Sequence, residues 1–124
     1  MTNLIERSPE TLKIAALNDA CRKYVMMPVF GKPEVPCQIY MTRGIINLPP
    51  EDQIIIAAKV RDFDNFTEDN DPHGEHDFGS LEHNGNRVFW KIDYYDQDVK
   101  YGSDDPADIS RTVRVLTIML AEEY

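Results

Sequence analysis

The chain is poor in cysteine and histidine and has no long apolar run. Two cysteines, Cys21 and Cys37, stand among 124 residues. A secreted disulfide framework uses more, so reduced thiols in a cytoplasmic protein are the expectation. Their spacing matches no standard redox or metal motif, which argues against either role for them. No stretch approaches the roughly 20 apolar residues of a membrane helix. The start, Met1-Thr2-Asn3-Leu4-Ile5-Glu6, has no basic residue and no apolar segment, which predicts no secretory leader. No serine stands in a nucleophile elbow, and no phosphate loop or dinucleotide motif occurs. Basic charge is scarce in the second half. Residues 62–124 hold five Lys/Arg and sixteen Asp/Glu, against eight and six in residues 1–61, within a formal total of −9. An acidic surface of this kind repels nucleic acid and anionic membrane and attracts basic proteins.

What is present is ordinary globular composition, 42% hydrophobic and 28% charged. The length suits one domain over residues 1–124, with residues 1–8 as a flexible arm. Ser8-Pro9-Glu10 reads as a helix start: an N-cap, a proline at the first helical position, then an acid favoured by the helix dipole. The helix is expected from about Pro9 to Tyr24, with Ile14, Leu17, Cys21 and Tyr24 as its apolar stripe. Pro28, Gly31, Pro33 and Pro36 mark a connector, in which Met27, Val29 and Phe30 are an apolar cluster expected either to tuck under the core or to form a contact patch. Cys37 to Ile46 reads as a strand that pairs with a later hairpin. Pro49-Pro50-Glu51-Asp52 starts a second helix to about Asp64, with Ile56, Val60 and Phe63 inward. Its three successive isoleucines, Ile54 to Ile56, exceed what one stripe needs, which points to burial on two sides or a partner contact. Asp105-Pro106-Ala107-Asp108 reads as the cap of a third helix, with Ile109, Val113, Leu116 and Leu120 facing the core and Arg111 and Arg114 outward. The order α-β-α-β-β-α makes an α+β domain: a small antiparallel sheet of about three strands with three helices.

Asn84-Gly85 is the strongest turn signal, because a type I′ turn needs positive φ at both central residues. That turn pairs His83 with Asn86, Leu81 with Val88, Gly79 with Trp90, Phe78 with Lys91 and His76 with Asp93. Alternation then puts Gly79, Leu81, Val88, Trp90 and Ile92 on one buried face, with Trp90 covering the space over Gly79.

The segment before the hairpin, Asp62 to Asp77, carries seven acids and no Lys or Arg. Asp69-x-Asp71-x-His73-Gly74 begins like a calcium loop, but Ser80 occupies the twelfth position, where a bidentate Glu belongs. His73, Glu75, His76 and Asp77, with Asp93, form a second candidate: histidine and carboxylate together suit a divalent transition metal able to activate water for hydrolysis. The competing account is a Gly/Pro loop held in order by its own hydrogen bonds. Further on, acids and tyrosines alternate. Asp69, Asp71, Asp96, Asp98, Asp104 and Asp105 supply negative charge, and Tyr94, Tyr95 and Tyr101 supply rigid contact area at low entropic cost.

Thr67 to Gly79 (TEDNDPHGEHDFG), Phe89 to Asp96 (FWKIDYYD) and Leu116 to Tyr124 (LTIMLAEEY), with Leu17-Asn18-Asp19-Ala20 and Leu48-Pro49-Pro50-Glu51-Asp52-Gln53, resemble the bacterial family catalogued as domain of unknown function 3768. The resemblance spans nearly the whole chain. It implies a small accessory protein of alphaproteobacterial chromosomes, plasmids and other mobile elements, and it carries no catalytic residue over. Two functions are expected in competition. One is a binding module without a cofactor, whose acidic surface docks on a basic protein such as a nuclease or CRISPR effector and inhibits a host nucleic-acid-targeting defence (CRISPR or restriction). The other is a metal-dependent hydrolase built on the His73–Asp77 loop.

Overall fold

The computed structural model describes residues 7–25 and 34–124. The expected arm, apart from Arg7 and Ser8, and the Met27, Val29, Phe30 cluster lie outside the described residues. Helix α1 (Pro9–Lys23) starts as its sequence dictates, with Pro9 in the first turn and Ser8 Oγ accepting from the Thr11 amide at 3.1 Å. Its buried face is Ile14, Ala15, Asn18, Cys21 and Arg22, so two polar residues lie in the stripe. Strand β1 (Cys37–Met41) is shorter than expected. Thr42 ends it, and a one-turn helix α2 (Arg43–Ile46) follows. Glu123 explains that break. Its carboxylate accepts from Thr42 Oγ1 at 2.6 Å, the Gly44 amide at 3.0 Å and the Leu120 amide at 2.9 Å, holding the start of α2 against the end of the chain. Helix α3 (Pro50–Arg61) carries Glu51 and Asp52 in its first turn and Lys59 and Arg61 in its last, both in accord with the helix dipole.

Strands β2 (Phe78–His83) and β3 (Asn86–Tyr95) form the expected hairpin in the expected register from His83↔Asn86 to Phe78↔Lys91. Asn84 and Gly85 have φ of 49° and 79°, the left-handed pair that a type I′ turn requires. The turn is fixed to α3: His83 Nε2 lies 2.9 Å from Asp52 Oδ1, His83 Nδ1 lies 3.3 Å from Lys59 Nζ, and Asn84 Nδ2 donates to Asp52 Oδ1 at 2.9 Å.

The third expected helix is a strand, β4 (Val113–Leu120). It lies between β1 and β3 in a four-stranded sheet of order β1-β4-β3-β2, antiparallel to β3 and parallel to β1. The sheet is therefore mixed, and β1 joins β4, not the hairpin. A strand flanked on both sides suits β-branched Val113, Val115, Thr117 and Ile118 better than a helix does. Asp105 caps no helix; its Oδ1 accepts from the Ala107 amide at 3.3 Å, an Asx turn. Arg114 faces the core and is wholly buried, the reverse of its expected placement.

Helices α1 and α3 cover one face of the sheet. Cys21, Ile56, Ala57 and Val60 pack there on Val88, Trp90, Ile92, Leu116 and Ile118, with Ile45 of α2 at one end. Ile54 and Ile55 are exposed, so α3 is buried on one side only. On the other face, Phe78, Phe89 and Tyr124 form an aromatic cluster with ring centroids 5.2–6.2 Å apart.

Candidate functional site

Strands β2 and β4 begin, and β3 ends, at the same end of the sheet, because Phe78 pairs near the close of β3 and Val113 pairs with Tyr95. Two long connections therefore meet there: residues 62–77 leading into β2, and residues 96–112 between β3 and β4. These segments hold most of the acids of the second half.

A polar network fastens both to α1. Arg114 Nε donates to Asn18 Oδ1 at 2.6 Å, and Arg114 Nη2 donates to the Pro106 carbonyl at 2.6 Å. Asn18 Nδ2 donates to the Glu75 carbonyl at 2.9 Å and to the Tyr94 hydroxyl at 2.8 Å. Tyr94 in turn donates to Glu75 Oε1 at 2.9 Å. Burial and the neighbouring Glu75 push the Tyr94 hydroxyl well above its ordinary range, so it is a neutral donor. Burial lowers Arg114, whose guanidinium also lies over the Tyr94 ring at 5.2 Å.

His76 is the second anchor. Its φ is 57°, its ring stacks on Phe66 at 3.8 Å, and its Nδ1 lies 2.9 Å and 3.1 Å from the two Asp19 oxygens. A carboxylate only accepts, so Nδ1 carries the hydrogen. Nε2 faces Asp71 Oδ2 at 3.8 Å. Asp19 also takes Arg22 Nη2 at 2.6 Å, and Arg22 donates onward to the Val60 and Phe63 carbonyls. An open cleft of about 400 Å³ lies over this pair, lined by Ala15, Ala16, Phe66 and Thr67 among others.

The residues expected to bind a metal are not gathered. His76 turns to Asp19 of α1 and not to Asp93, because β2 pairing stops at Phe78 and the left-handed backbone of His76 redirects its ring. Asp93 lies on the opposite face of the sheet, 2.7 Å from Lys91 Nζ. His73 is exposed, Glu75 is held by Tyr94, and Asp77 is half-buried, its carboxyl raised by burial and then by Glu75. Among the described residues, no group of three or more His, Cys, Asp and Glu could hold a metal ion.

The residues expected to bind a partner divide. Asp69, Asp98, Tyr101 and Asp104 face solvent. Asp96 and Asp105 are half-buried and shape turns, accepting from the Lys100 and Ala107 amides. Tyr95 is half-buried and bridges Gly102. Asp71 is buried and accepts from the His76 amide at 3.3 Å, so it and Tyr94 hold the connections in place instead of presenting them. Among the described residues, no Lys or Arg forms an ion pair with Asp64, Glu68, Asp69, Asp96 or Asp98. Asn18, Asp19, Arg22 and Arg114 are the organising residues that sequence patterning passed over. For Asn18 and Asp19 the signal was a run of poor helix formers inside an amphipathic helix.

No helix among the described residues is long and apolar enough to cross a membrane. Fold and site together define a small mixed-sheet α+β domain with an acidic end built on a buried polar network. The chain belongs to the family described as "Protein of unknown function (DUF3768)", whose model matches residues 41–123. No curated protein and no solved structure matches it significantly.

Proposed function

We propose that the chain is a protein-binding module whose acidic end docks on a basic surface, such as the nucleic-acid groove of a nuclease or CRISPR effector. One observation carries the reading: two acid-rich connections converge at one end of the sheet, and among the described residues several of their carboxylates form no ion pair with Lys or Arg. Of the acids expected to meet the partner, Asp69, Asp98 and Asp104 are exposed, Asp104 with Arg111 Nη2 at 4.0 Å, and Tyr101, 75% exposed, is the aromatic contact beside them. Gathered charge of one sign steers association with a basic partner and repels nucleic acid itself. The buried Asn18–Arg114–Tyr94 network gives that charge a rigid base, which lowers the entropic cost of docking.

The test is affinity capture from a lysate of the natural host at low and physiological salt. The bait is the chain itself, with an Asp69→Asn, Asp98→Asn, Asp104→Asn triple variant beside it. A basic nucleic-acid-handling protein retained at low salt, and bound about tenfold less by the variant, supports the reading. Capture that is indifferent to both salt and the three substitutions overturns it.

A further inference from the structure

The sequence separation of Cys21 and Cys37 conceals their placement. Cys21 lies on the buried face of α1, one turn beyond Asn18, and is wholly buried in the core. Cys37 opens edge strand β1, pairs directly with Arg114 of β4, and packs half-buried against the same core. Arg114 reaches Asn18 from the strand side. Helix, edge strand and central strand thus bring both thiols beside one buried guanidinium. The interaction between the two thiols raises Cys21 and lowers Cys37; burial works with it at Cys21 and against it at Cys37, and the Arg114 charge further lowers Cys37. Cys37 is the more exposed of the two and the one whose thiol is lowered, so it is the more reactive sulfur. A second, independent feature stands beside them. Arg22 Nε and Arg114 Nη1 are buried with no hydrogen-bond partner among the described residues, although buried donors are ordinarily satisfied. The charges of both arginines act on Cys21.

We propose that Cys21 and Cys37 form a redox-active dithiol, with Cys37 as the attacking sulfur and Cys21 as the resolving sulfur, whose oxidant is a small hydroperoxide. Cys37 is the accessible member, so it meets the oxidant first. Its sulfur attacks one peroxide oxygen, the O–O bond breaks, and the departing oxygen takes a proton; with hydrogen peroxide it leaves as water. Cys37 is then a sulfenic acid. The Cys21 sulfur attacks the Cys37 sulfur, the S–O bond breaks, and the hydroxyl leaves as water with the Cys21 proton. Two thiols lose two electrons and two hydrogens, one peroxide becomes two waters, and a disulfide joins α1 to the edge strand. A small thiol reverses the bond by exchange.

The experiment uses the full chain, reduced and then exposed to equimolar hydrogen peroxide, and reads intact mass and thiol alkylation. The expected result is a monomer lighter by two hydrogens, with both thiols blocked to alkylation, a Cys21–Cys37 linked peptide, and full recovery with dithiothreitol. In the reduced chain, Cys37 alkylates at least about tenfold faster than Cys21. Cys21→Ser stops at a Cys37 sulfenic acid that dimedone traps, and Cys37→Ser leaves Cys21 reduced. Because Cys21 is buried and its variant is at risk of misfolding, the wild-type mass and the Cys37→Ser result decide by themselves. Wild-type protein that gains only oxygen atoms, keeps both thiols, or forms only a dimer linked through Cys37 overturns the proposal. Disulfide formation at an unchanged rate in Cys37→Ser, through an intermolecular Cys21 bond, overturns it as well.

Discussion

Arg114 Nε donates to Asn18 Oδ1 at 2.6 Å, and both side chains are wholly buried. The pair fixes why position 18 is asparagine. One side must accept from a guanidinium while the other donates to the Glu75 carbonyl and the Tyr94 hydroxyl. Aspartate could only accept, and leucine could do neither. Asn18→Leu leaves a buried cation short of an acceptor, with a cost of about 3 kcal/mol. Urea unfolding checks it: the midpoint should fall with the slope unchanged. A loss under about 1 kcal/mol, within the range of an ordinary neutral hydrogen bond, would mean the network is ornamental.

Gly79 lies against Trp90 across the hairpin, and a methyl there would clash with the indole at Trp90 Nε1. The indole cannot retreat. It is wholly buried, with Phe63 and Phe66 edge-on at 5.5 Å and 6.1 Å and Arg22 over its face at 4.9 Å. Gly79→Ala should cost about 3 kcal/mol, the upper range of overpacking. The same substitution in a Trp90→Phe background should cost clearly less, because the smaller ring vacates the contact. Equal costs in the two backgrounds would place the strain in the backbone instead.

The hairpin was legible because its information is local. Asn84-Gly85 sets the turn, the turn sets the register, and the register places Trp90 over Gly79. Strand β4 was misread because Ile109, Val113, Leu116 and Leu120 also fit a helical stripe. A central strand buried along most of its length has no period of its own to contradict that stripe. Asp105-Pro106 then supplied a false cap. At the acidic end, the gathering of charge was readable from composition, but its anchoring was not. Asn18 meets Arg114 across 96 positions, and His76 meets Asp19 across 57. Pairings of that span leave no local pattern, and the same holds for Cys21 and Cys37.

His76 holds its ring against Asp19 and Phe66 at the expense of a left-handed backbone, φ 57°. Alanine and glycine at this position both delete the ring, and they differ only in how they tolerate that backbone. His76→Gly should therefore be the more stable of the two by about 1 kcal/mol, the left-handed penalty of a residue with a Cβ, lessened by the entropy glycine gives the unfolded chain. Paired urea curves decide it. An alanine variant at least as stable as the glycine variant would show that the loop relaxes once the ring is gone.

Asp77 gives the molecule a distinct response to pH. Burial raises its carboxyl first, the negative Glu75 raises it further, and Asp71 adds to the shift. A carboxyl whose folded value lies above its unfolded value binds its proton more tightly in the native state. Its favourable contribution is complete below the unfolded value and is lost as pH rises through the folded one. At neutral pH the ionised group is thus a burden on the fold, and Asp77→Asn removes that burden. The backbone carbonyl of residue 77, which accepts from the Ile92 amide at 2.9 Å, is untouched by the change. The variant should be more stable than the parent at pH 7, with the gap narrowing as pH falls through the carboxylate range and closing near pH ~3.5, below the ordinary aspartate value. Thermal unfolding of both proteins across that range reads the difference. A gap of constant size would assign the gain to packing, and a loss at neutral pH would mean that the Asp77 charge supports the acidic end instead of straining it.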